Sequence, residues 1–78
     1  MVKAKNPVHR RRGTYNSCDV LVEEENSFFY YSVINSEGTE IMSGFRDKGS
    51  QDILTFYNYL LKLVDDYIKY PEGFVADV

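Results

Sequence analysis

Ser50 to Tyr70 reads SQDILTFYNYLLKLVDDYIKY, and the fold turns on how this stretch is read. Ile53, Tyr57, Leu60, Val64 and Tyr67 recur at spacings of three and four, with Phe56, Leu63 and Ile68 widening the stripe. Asp52, Thr55, Asn58, Lys62, Asp65, Asp66 and Lys69 fall mostly on the other side. Apolar residues repeating with the 3.6-residue turn predict a helix over about residues 51–70, laid on an apolar surface. Ser50 stands at the N-cap position and Asp52 complements the helix dipole. Pro71 and Gly73 stop the helix near Tyr70.

Three segments upstream have the composition of the sheet beneath it. Residues 17–24, SCDVLVEE, alternate Cys18, Val20 and Val22 with Asp19, Leu21 and Glu23, a period of two. Residues 27–35, SFFYYSVIN, are dense in aromatic and β-branched side chains, which favour strands. Residues 39–45, TEIMSGF, form the third segment. A tight turn at Glu25-Asn26 joins the first two. Asn35-Ser36-Glu37-Gly38 has the signature of a type I turn closed by a glycine bulge. The expected architecture is α+β: a three-stranded antiparallel meander packed on one face by a C-terminal helix.

Turn lengths set the expected registers. A two-residue loop at Glu25-Asn26 places Val22 opposite Phe29 and Val20 opposite Tyr31. The loop at residues 36–38 places Val33 opposite Ile41, Tyr31 opposite Ser43 and Phe29 opposite Phe45. Both turns assign Phe29, Tyr31 and Val33 to one face, with Val20, Val22, Ile41 and Phe45, and a one-residue slip would invert that set. This is the face on which the helix is expected to dock.

The opposite face is then apolar at its centre, with Leu21, Phe28, Tyr30, Ile34 and Met42, and charged at its rim, with Asp19, Glu23 and Glu40. That is the anatomy of an interface, so these five residues are the expected partner-binding site, for a protein partner or a second copy. Phe74 and Val75 folding back over the face would be the plain alternative.

Seventy-eight residues make one small domain, and its seven tyrosines and five phenylalanines are many for so short a chain, so a core rich in aromatic side chains is expected. Each buried aromatic removes roughly 150–250 Å² from water. The single cysteine, Cys18, excludes an intrachain disulfide and is expected as a small buried hydrophobe in a reducing compartment. No apolar run reaches membrane-spanning length, and a cytoplasmic location, with nuclear as the alternative, is expected. Residues 1–13 carry Lys3, Lys5, Arg10, Arg11 and Arg12 and no acid, whereas the remainder sets four cations against all twelve acids, a net of -8. Residues 1–13 are therefore expected as a basic flexible arm and residues 14–78 as the single domain. Such an arm could neutralise phosphates, which makes Lys3, Lys5, Arg10, Arg11 and Arg12 the nucleic-acid-binding residues of an alternative reading, with Tyr30 or Phe28 stacking on bases.

Catalytic chemistry has little to build on. His9 is the lone histidine and lies among arginines, and Asp65-Asp66 are helix neighbours about 100° apart that do not converge. No catalytic residue, metal site or cofactor is expected. The expected function is a small non-enzymatic protein-interaction module: an inhibitor, adaptor or regulatory subunit.

A three-stranded meander followed by a C-terminal helix resembles the arm-binding domains of tyrosine recombinases, at the level of topology. The resemblance implies DNA reading by the sheet face opposite the helix. On this chain the equivalent face offers Asp19, Glu23 and Glu40 and no arginine or lysine.

Overall fold

A computed structural model describes residues 9–74. It is α+β, an antiparallel sheet carrying one C-terminal helix, but the sheet has four strands where three were expected. In chain order these are β1 (His9–Tyr15), β2 (Cys18–Glu25), β3 (Phe28–Ile34) and β4 (Glu40–Asp47), followed by α1 (Ile53–Lys69). Neighbours in sequence are neighbours in space, a four-stranded meander.

The added strand takes in residues 9–13, which sequence reading assigned to the arm, together with Thr14 and Tyr15 at the start of the expected domain. Asn16 and Ser17 both adopt positive φ, 49° and 67°, the conformation a two-residue hairpin loop requires. The loop folds β1 back on β2, so that Tyr15 lies opposite Cys18, Gly13 opposite Val20, Arg11 opposite Val22 and Arg10 opposite Glu23. Lys3 and Lys5 lie outside the described residues.

The loop between β2 and β3 is Asn26-Ser27, one residue later than expected, with Asn26 at φ 57°. Val20 consequently pairs with Val33 and Val22 with Tyr31. This register is two residues from the expected one, and an even shift keeps every side chain on its face. Asn35 organises the next turn as expected: its carbonyl accepts from the Gly38 amide, while its side-chain oxygen accepts from the amides of Glu37 and Thr39.

Beyond that turn the expected register fails. Ile34 lies opposite Glu40, but Val33 lies opposite Met42, so Ile41 is an extra residue in β4. The bulge moves every later residue of β4 to the other face. Met42 joins the core at 6% exposure, and Phe45, expected beneath the helix, faces outward at 65%. Ile41 keeps part of its expected role, being half-buried against the core.

Helix α1 begins two residues later than its sequence suggests, because Asp52 rather than Ser50 is the N-cap; its carboxylate accepts the Thr55 amide at 2.8 Å. The Tyr70 amide reaches back to the Asp66 carbonyl, and Pro71 prevents continuation. The helix buries Phe56, Tyr57, Leu60, Leu63 and Val64 against Cys18, Val20, Val22, Phe29 and Val33. Phe56 is the hub. Its ring stacks on Phe29 (4.9 Å between centroids, 5° between planes), meets Tyr31 edge-on at 5.6 Å and lies under the Arg46 guanidinium at 5.3 Å. Full burial of such a side chain contributes about 1.5–3 kcal/mol. Among the described residues no helix is long and apolar enough to cross a membrane.

Candidate functional site: the open face of the sheet

Because α1 lies against one face, the residues that alternate away from it form the other. On β3 these are Phe28, Tyr30, Ser32 and Ile34; β2 adds Asp19, Leu21, Glu23 and Glu25. The bulge adds Ser43, Phe45 and Asp47 from β4. Cross-strand pairing aligns Tyr30 with Phe45 on one side and with Glu23 on the other, and Phe28 with both Asp47 and Glu25.

Phe28, Tyr30 and Phe45 form a triad of touching rings. Their centroids are 6.4 Å apart for Phe28–Tyr30, 5.8 Å for Phe28–Phe45 and 6.0 Å for Tyr30–Phe45. All three are exposed, at 36%, 42% and 65%. Phe74 does not cover them: its ring packs edge-on against Tyr67 of the helix at 5.5 Å. Val75 lies outside the described residues.

The five expected partner-binding residues are thus divided. Phe28 and Tyr30 stand at the centre of the patch. Leu21 and Ile34 share the face but are half-buried, and Met42 belongs to the core. Phe45 is the site residue that sequence reading missed. The adjacent apolar pair Ile41-Met42 was the available signal, since a bulge can turn both toward one side.

The arginines of the arm are also distributed by the sheet. Arg10 and Arg12 point to the open face, and both are engaged. Arg10 is bound to Glu23 (2.6 Å), and Arg12 forks onto Asp19 through Nη2 at 2.8 Å and Nε at 3.3 Å. Asp19 accordingly titrates below the usual carboxylate range, through its hydrogen bond from Arg12, and Arg12 is raised by the same bond. Arg11 points to the helix face, 5.7 Å from the centre of the Tyr57 ring. Of the arginines named for phosphate contact, none is held free on a shared surface.

On the helix face, Lys48 pairs with Glu24 beside the loop that precedes α1. Arg46, Lys48, Gln51 and Thr55 line a shallow depression there, of about 620 Å³. Among the described residues no three His, Cys, Asp or Glu side chains gather as a metal-holding group.

Fold and face together define a small α+β domain with one packed and one open sheet surface. The chain matches no protein-family model, no curated protein and no solved structure.

Proposed function

We propose that the protein is a small non-enzymatic protein-interaction module, an inhibitor, adaptor or regulatory subunit, that docks its partner on the open face of the sheet. The observation that carries this reading is the exposed triad of Phe28, Tyr30 and Phe45, on a face the helix does not reach. Aromatic side chains clustered at the centre of a patch, with charge at its rim, are the usual source of binding energy in protein interfaces. A nucleic-acid role has less support. Glu25, Asp47 and Glu23 flank the rings, and Arg10 and Arg12 are already neutralised within the sheet.

Affinity capture from the native cell tests the reading, with and without nuclease and with Phe45→Lys as the comparison bait. A protein partner that survives nuclease and is lost with Phe45→Lys supports it. A partner retained by the folded variant, or one released by nuclease, counts against it.

A further inference from the structure

Taking the open face as the docking surface, we infer that its occupant is a cationic, arginine-bearing polypeptide segment, with a guanidinium seated over the rings of Phe28, Tyr30 and Phe45. The three centroids form a nearly equilateral triangle. The planes are inclined by 48° (Phe28–Tyr30), 77° (Phe28–Phe45) and 38° (Tyr30–Phe45), so a cation beside the cluster meets the three rings at different angles and gains where it lies over a ring face within roughly 6 Å. The same pairing operates inside the protein: Arg46 covers the Phe56 ring at 5.3 Å, and Arg11 lies 5.7 Å from the Tyr57 ring. The triad has no such partner among the described residues.

Charge at the margin points the same way. Glu25 and Asp47 stand on either side of Phe28, and neither has an ion-pair partner among the described residues. Asp47 spends one carboxylate oxygen on the Gly49 amide and keeps the other. Rings edged by carboxylates attract a cation through both quadrupole and charge, and they repel a polyanion. Arginine suits the site better than lysine, because a planar guanidinium stacks on a ring while its edge forks onto a carboxylate.

The test is a titration of the isotope-labelled full chain with a synthetic twelve-residue Gly/Ser peptide carrying four arginines. Matching peptides carry lysine or the uncharged isostere citrulline. The arginine peptide is expected to shift the amides of residues 28–30 and 43–47, with affinity that weakens as salt is raised, and the citrulline peptide to shift none. Phe45→Leu keeps the apolar contact without the ring and is expected to weaken binding roughly two- to fivefold, the size of one exposed cation–π contact. Glu25→Gln combined with Asp47→Asn should also weaken it. Equal binding of the citrulline peptide, no binding of the arginine peptide, or affinity unmoved by these variants overturns the inference. Self-association, or an uncharged partner, that Phe45→Lys abolishes overturns the cationic occupant but leaves the docking face standing. Associations that all survive Phe45→Lys overturn both.

Discussion

The Tyr15 hydroxyl donates to Asp65 Oδ2 at 3.0 Å, joining the end of β1 to the helix across fifty residues of sequence. The Asn16 side-chain amide donates to the other oxygen of the same carboxylate, also at 3.0 Å. Together they fasten the first hairpin to α1. Donation to Asp65 raises the Tyr15 pKa above its usual 10.0, with burial and the nearby negative charge adding to the effect. A pKa raised on folding means stability that is complete below the unfolded value and lost as pH rises through the folded one. Urea midpoints measured from pH 7 to 11 should therefore fall more steeply for the native chain than for Tyr15→Phe. Parallel pH profiles would contradict this.

At the acid end the sign reverses. Asp52 titrates below its usual 3.8 because it accepts the Thr55 amide, and Asp19 does so because it accepts from Arg12. Their contributions are present above the unfolded carboxylate pKa and disappear as pH falls through the folded values. Asn caps helices about as well as Asp. Asp52→Asn should keep its neutral-pH midpoint while flattening the loss of helix signal below pH 4, and Asp52→Ala should lower the midpoint at pH 7.

At Gly13 β1 passes close to a helix side chain. A Cβ built there would stand 2.7 Å from the Tyr57 hydroxyl. Gly13→Ala is expected to destabilise by about 1–3 kcal/mol, the usual range for overpacking. Tyr57→Phe removes the clashing atom, so the double variant should recover part of the loss. Strict additivity in a double-mutant cycle would show that the two do not meet.

The bulge at Ile41 makes a sharp comparison within one strand. Met42→Ala should cost about 2–5 kcal/mol, as for a buried methionine, whereas Phe45→Ser should cost about 1 kcal/mol or less, its loss limited to aromatic contacts with Phe28 and Tyr30. Chemical denaturation of the two variants measures the difference. The reverse order would restore the unbulged register.

These positions also show how much the sequence discloses. The helix, the Asn35–Gly38 turn and the inward side of β2 and β3 are legible because periodicity and turn chemistry are local. The two larger departures, the added strand and the bulge, have non-local causes. Arg10, Arg11 and Arg12 look like an unstructured arm until each meets its partner across the fold: Glu23, the Tyr57 ring and Asp19. The hint was the Asn16-Ser17 pair between Tyr15 and Cys18, which can close a hairpin. The bulge at Ile41 left only the adjacent apolar pair Ile41-Met42 as a local trace, which does not fix a register by itself, and so Met42 and Phe45 exchanged roles.

Cys18 is buried at 3% exposure, and burial pushes its thiol pKa up. Modification by a thiol reagent at pH 8 should be slow in the native chain and fast in denaturant. Rapid native modification would mean that the end of β2 opens readily.

Docking of the partner on the open face can be read by photo-crosslinking in the native cell. A benzoylphenylalanine replaces Tyr30 in one chain and Asn58, on the exposed side of α1, in another. A nuclease-resistant protein adduct is expected from position 30 and none from position 58. Adducts from position 58 alone, or equally from both, would contradict it.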